Sequence, residues 1–341
     1  MKLTLRRWQL MMAALWLLAG PAHGQITGVV AFGDSLSDIG NTYNFLSGLG
    51  LNATLAAGYN PYFYSVGRFS NGPVWAEDMN TRLGLPTLTL NNGSSLTGTD
   101  FAWGASTSGT GYTNFFLPNL LTQVSNYNTL LGSTNGLPTP ATTLYTVWAG
   151  GNDVINNIES GGNTTPEQIA SNLATAVTNL YNSGGRYFLV PNLPPLGNKP
   201  SYVGTANQTI ANNFVTLFNG ELATTMENLE STLTGVTIIQ FDDYTVMEDI
   251  LADPSAYGFG NVTGPAFVND PTGPYPYGSA VADPNSYLFW DNTHPSASAN
   301  AILGQAAYDD VIAAVPEPAE TAMVAGVVML AGAGLRRRRR G

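Results

Sequence analysis

Four short apolar runs recur along the chain, at 26–32, 144–149, 187–190 and 236–241, each rich in β-branched and aromatic residues and too short to make a stable helix. They are continuously apolar rather than alternating, so strands built from them must be covered on both faces. Between and after them lie stretches with helical spacing at 74–83, 166–182, 211–233 and 299–315. Pro166 stands near the start of one of these, where its missing N–H costs nothing. Strands alternating with helices predict an α/β fold with a parallel central sheet and helices on both faces. In such sheets ligands bind beyond the carboxyl ends of the strands, so functional residues are expected just after the apolar runs. The Gly-, Asn- and Thr-rich segments 91–98 and 261–277 read as long surface loops.

The two ends read as addresses. Lys2, Arg6 and Arg7 precede an apolar run at 10–19 and a small-residue site at Ala22-His23-Gly24, which predicts a secretory signal peptide over 1–24, removed by signal peptidase before Gln25. A retained anchor is the alternative, for which the run is short. At the other end Val315-Pro316-Glu317-Pro318 leads into an apolar stretch at 321–335 and then Arg336 to Arg340. As a helix this stretch would span roughly 23 Å against about 30 Å of hydrocarbon, a marginal span whose arginines stay cytoplasmic. The arrangement over 316–341 resembles the PEP-CTERM sorting signal of Gram-negative bacteria. That resemblance implies export across the inner membrane, cleavage by an exosortase-type membrane protease, and a final place at the cell surface or outside it. A permanent carboxy-terminal anchor is the alternative. With no repeat or long linker between them, residues 25–315 read as one domain.

Without its ends the chain keeps four basic residues, Arg68, Arg82, Arg186 and Lys199, against 21 acidic ones, a net charge of −17. A surface of that sign repels nucleic acid and anionic membranes and excludes polyanion binding. The absence of cysteine excludes thiol nucleophiles and Cys-ligated metals, and leaves the fold to its core rather than to disulfides. His23 departs with the signal, so His294 is the mature domain's single histidine. A multi-histidine metal site is therefore impossible within one chain, and any reaction needing an imidazole base must use His294.

Ser35 lies in Phe32-Gly33-Asp34-Ser35-Leu36-Ser37-Asp38, directly after the first apolar run. A lone serine in such a turn is ordinarily a helix cap. Far along the chain, Asp291-Asn292-Thr293-His294 sets a carboxylate three residues before the histidine. A serine hydroxyl becomes nucleophilic when a neutral imidazole takes its proton and a carboxylate orients that imidazole, which makes Ser35, His294 and Asp291 a candidate triad. Ester attack also needs donors for an oxyanion. Ser70-Asn71-Gly72 offers the amide of Gly72, and Gly150-Gly151-Asn152-Asp153 offers the side chain of Asn152. Alone, each reads as well as a turn residue or a cap.

Taken together, the segments at 32–38, 70–72, 150–153 and 291–294 resemble the conserved blocks of the GDSL, or SGNH, hydrolases. The stretches Phe101-Ala102-Trp103-Gly104-Ala105 and Pro191-Asn192-Leu193-Pro194-Pro195-Leu196-Gly197 are similar to that family's secreted lipase and acyltransferase branch. The resemblance implies a three-layer α/β/α, flavodoxin-like sandwich with a parallel sheet. It implies Ser35 as nucleophile, Ser35, Gly72 and Asn152 as oxyanion donors, and Asp291 with His294 completing the triad. No metal or organic cofactor is implied. The substrate would be a carboxylic ester: a lipid, a short-chain ester or an acylated sugar, with acyl transfer or sugar deacetylation open to the same residues and a non-catalytic surface module as the rival. Activity should rise with pH as the imidazole loses its proton.

Asp34, Asp38 and Asp153 read as hydrogen-bond acceptors for their turns. Asp242-Asp243 and Glu248-Asp249 read as the solvated face of an amphipathic helix rather than as paired glycosidase acids. Tyr62, Phe63 and Tyr64 are candidates for packing or for a substrate wall. The chain has no Gly-x-Ser-x-Gly elbow, which argues against an α/β-hydrolase arrangement.

Overall fold

Four parallel strands, β1 (Gly28–Gly33), β2 (Thr143–Trp148), β3 (Tyr187–Pro191) and β4 (Thr237–Phe241), pair in chain order to form the central sheet. Every residue of the first three is buried, as their unbroken apolar character requires. The outer strand β4 is only partly covered. The computed structural model describes residues 26–50, 65–91, 98–114, 116–131, 137–269 and 278–315. Ile26–Val311 forms one unit, and Met1–Gln25 with Ile312–Gly341 groups as another, of which only 312–315 is among the described residues. The segments expected to be a signal peptide (1–24) and a sorting tail (316–341), and Tyr62, Phe63 and Tyr64, lie outside the described residues.

The helices are α1 (Asn41–Gly48), α2 (Trp75–Arg82), α3 (Leu120–Leu131), α4 (Gly151–Glu159), α5 (Pro166–Asn182), α6 (Ala206–Thr232), α7 (Asp243–Ala252) and α8 (Ala297–Ala314). Two aromatic clusters assign them to faces. Tyr127 of α3 packs edge-on to Phe32 and Tyr145, with ring centroids 5.4 and 5.7 Å away, and α3 leads through α5 to α6. On the opposite face Trp75 of α2 packs edge-on to Trp148 at 5.3 Å and stacks on Phe241 at 6.2 Å. There α8 lies beside α2, because Gly304 has no side chain to collide with the Trp75 carbonyl and Asp78. The result is an α/β/α arrangement of three layers.

Residues 99–103 add a rudimentary strand outside β1: Ala31 N–H donates to Thr99, and Phe101 and Trp103 donate to Ala31 and Gly33, at 2.7–3.1 Å. With it the order is 2-1-3-4-5, so the chain reverses its progress across the sheet between β1 and β2. That reversal opens a crevice at the strands' carboxyl ends.

Of the segment expected as a loop at 261–277, the described part, 261–269, forms strands instead. Asn261–Pro265 (β5) pairs with Tyr287–Phe289 (β8), and Phe267–Asn269 (β6) pairs with Gly278–Ala280 (β7). These strands are too short and too rich in Gly, Pro and Asn to show in local composition. They are held by distant partners and by Phe267 stacked on Trp290 at 5.5 Å. Among the described residues no helix is long and apolar enough to cross a membrane.

Candidate active site

The site is assembled where β1 and β2 end. Gly33 closes β1 at φ 156°, and a Cβ there would lie only 2.3 Å from the Trp148 carbonyl oxygen, so no other residue fits between the strands. The chain then turns on Asp34, whose carbonyl accepts from the N–H groups of Ser37 and Asp38 at 3.1 Å and whose carboxyl accepts from Leu36 N–H at 3.0 Å. This turn holds Ser35 at the crevice. Gln123 of α3 secures the turn from behind, since its side-chain amide accepts from Gly33 N–H at 3.0 Å and donates to the Gly33 carbonyl at 2.8 Å.

His294 arrives from the other end of the chain, in a loop closed by Trp290 N–H donating to the His294 carbonyl at 2.8 Å. Asp291 accepts from the backbone N–H groups of Thr293 and His294 at 2.8 and 2.7 Å, and its other oxygen lies 2.7 Å from His294 Nδ1. His294 Nε2 is 2.8 Å from Ser35 Oγ. Burial would raise the Asp291 carboxyl, but the His294 charge and these hydrogen bonds outweigh it and hold the group below the ordinary carboxylate range. An ionised Asp291 accepts a hydrogen bond from His294 Nδ1–H, which keeps the proton on Nδ1 and leaves Nε2 to accept from the Ser35 hydroxyl.

Asn152 stands in the first turn of α4, after Gly150 has turned the chain off β2 at φ 121°. One of its N–H groups donates to the Ser106 carbonyl at 3.0 Å, and the side chain borders the same cavity as Ser35 and His294. Gly72 is not on that cavity wall. It is buried against the start of α8, where Asn71 accepts from Ala297 N–H at 2.7 Å. Among the described residues the backbone N–H groups of Ser35 and Gly72 have no acceptor. The cavity encloses about 60 Å³ and is walled chiefly by apolar side chains, including Leu36, Trp148, Ile155 and Phe289.

Asp38 accepts from Gly40, Asn41 and Thr42 N–H, as expected of a turn acceptor, and also from Gly104. Asp153 serves a distant loop instead, binding Ser108 through its N–H and hydroxyl at 2.8 and 3.0 Å. Asp34 is pushed up to about 6 by burial, against the pull of Leu36 N–H and the His294 charge. The reading of 242–249 as a solvated face holds for Asp242, Glu248 and Asp249 but fails for Asp243, which is wholly buried. Asp242 caps α7 by accepting from Thr245 N–H, and that capping turns the next residue inward. Asp243 and Lys199 both line the cavity, although no local motif marks either. Gln123 and Asn300, which binds Trp75 N–H at 3.0 Å, were equally silent, because their partners are remote in sequence.

Residues 29–307 match the sequence profile of the GDSL-like lipase/acylhydrolase family. The chain belongs to that family. With the family comes its reaction class, the hydrolysis of carboxylic esters. Among similar proteins are a GDSL esterase/lipase of Arabidopsis thaliana, 28% identical with 86% of this chain and 87% of that one covered, and the anther-specific proline-rich protein APG of Brassica napus, 28% identical over 83% of this chain and 71% of that protein. A carbohydrate acetylesterase of Sinorhizobium meliloti aligns over 84% of this chain and 99% of its own, at 18% identity and a TM-score of 0.42.

Proposed function

We propose that this GDSL hydrolase cleaves esters of short acyl groups through a covalent acyl-Ser35 intermediate. The observation that carries the reading is the unbroken run of short contacts from Asp291 through His294 to Ser35 Oγ. His294 Nε2 takes the hydroxyl proton as Oγ attacks the carbonyl carbon, and Asp291 stabilises the imidazolium. Charge developing on the carbonyl oxygen is met by the N–H groups of Ser35 and Gly72 and by the second Nδ2 hydrogen of Asn152. The imidazolium then gives its proton to the departing alcohol, and water repeats the sequence on the acyl-enzyme. The cavity supports a short acyl group. At about 60 Å³ it is well under the roughly 150 Å³ that holds a benzene ring, which suits about two to four carbons.

A fluorophosphonate probe tests the nucleophile: it should label the wild type and leave Ser35→Ala unlabelled and inactive though folded. Labelling that survives in Ser35→Ala would sink the assignment. A nitrophenyl ester series should peak at about two to four acyl carbons, and activity confined to long chains would contradict the cavity argument. Both terminal segments support export, with signal peptidase acting at one end and an exosortase-type protease at the other. Intact mass of the mature protein, expected to begin at Gln25 and to lack the arginine cluster, checks this.

A further inference from the structure

Asp243 has no evident work in the mechanism above and an expensive place in the fold. Its side chain is wholly buried, and neither carboxyl oxygen has a hydrogen-bond partner within the protein. A buried polar group without a partner costs stability, and an apolar residue of the same size would not. The cation bordering the same cavity, Lys199, is engaged elsewhere, with Nζ 3.6 Å from Glu159 and 3.8 Å from the Tyr202 ring centre. Asp243 is therefore not half of an ion pair.

Its position gives it a use. Asp243, Met247 and Leu251 recur at every fourth residue of α7, share one helix face and together form a wall of the cavity that Ser35 and His294 border. Solvent does not reach Asp243, but Met247, one turn further on, is unbranched and can move aside for a ligand. Burial raises the Asp243 carboxyl well above its ordinary range and so favours its protonated form, which presents one O–H donor and one carbonyl acceptor. The complement of that pair is a hydroxyl group. Met247, Leu251 and Phe289 line the same cavity, apolar neighbours that suit an acyl chain, so the hydroxyl is placed on the acyl half of the ester.

We infer that Asp243 is a specificity residue which binds a hydroxyl carried by a short acyl chain, so that hydroxyacyl esters are preferred to their unsubstituted counterparts. The inference rests on the acyl-Ser35 reading, and it is tested with ethyl 3-hydroxybutyrate and ethyl butyrate, followed by acid release. The wild type should favour the hydroxy ester about tenfold in kcat/KM, as one added hydrogen bond allows. Asp243→Leu should erase or reverse that ratio while raising activity on ethyl butyrate, and Asp243→Asn should keep part of the preference. A wild-type ratio near one, or a Leu variant that loses both activities equally, would overturn the inference. If neither ester is cleaved, the short-acyl reading fails by itself, and calorimetry on Ser35→Ala decides the pocket separately. Tighter binding of the hydroxy ester, lost in Ser35→Ala/Asp243→Leu, would uphold the role of Asp243; equal binding of the two esters would end it.

Discussion

A methyl group on Gly72 would stand 2.6 Å from the Cβ of Ala297, so Gly72→Ala must push the 70–72 turn away from α8. Misplacement of about 1 Å in an oxyanion donor costs on the order of 10²-fold in rate. The expected result is a fall of that size in kcat/KM for Gly72→Ala, largely restored by adding Ala297→Gly. Absence of rescue would show that Gly72 acts otherwise. Asp291→Asn tests the orienter. Its remaining oxygen can still accept from Thr293 and His294 N–H, but the new amide would face Nδ1 and hold the wrong tautomer. A drop of up to about 10⁴ in kcat with little change in KM is expected, and a minor loss would remove Asp291 from the relay. At this scale the sequence named every residue of the Ser35–His294–Asp291 contact, because local motifs carry them and His294 is the one histidine between residues 25 and 315. Asp243 escaped it, since whether a helix residue at the first turn faces water or a cavity depends on how the whole helix is docked.

The ends of elements, more than their middles, shape the site. The strands fall within a residue or two of the apolar runs, and α5 begins at Pro166 behind the Thr165 cap, which accepts from Gln168 N–H at 3.2 Å. α6 starts five residues before its expected 211, where Thr205 accepts from Asn207 N–H at 3.2 Å. Gln123 links α3 to the end of β1 from 90 residues away, and it also donates to Ser106 Oγ and the Pro118 carbonyl. Gln123→Leu would leave the buried Gly33 N–H unpaired, at about 1–3 kcal/mol, and remove the other hydrogen bonds of the Gln123 amide. Chemical denaturation should show a loss of about 2–4 kcal/mol, accompanied by reduced ester hydrolysis as the Ser35 turn loosens. Unchanged stability would mean that the turn holds itself.

Across the whole molecule, buried carboxyls set the response to pH. Burial raises Asp34, Asp38, Asp100, Asp153 and Asp243 above the ordinary 3.8. Between 3.8 and about 6 the native Asp34 keeps a proton that the unfolded chain has released, so stability falls as pH rises through that window. Asp34 alone contributes on the order of 3 kcal/mol to this fall. The other four act in the same direction, and Asp291, held low, acts in the opposite one only in stronger acid. The thermal midpoint should therefore be higher near pH 5 than at pH 8, and a midpoint that climbs from pH 5 to 8 would contradict the buried acids. Sequence by itself determined the layered α/β class, the acidic body, the lack of thiol chemistry and the one imidazole between residues 25 and 315, because periodicity, composition and short motifs are local properties. Tertiary structure alone decided that Ser35 meets His294 across 259 positions, that Gly72 rests on α8 and that Asp243 is sealed beside the cavity. Those outcomes depend on which faces of distant elements pack together, and no stretch of chain carries that information separately.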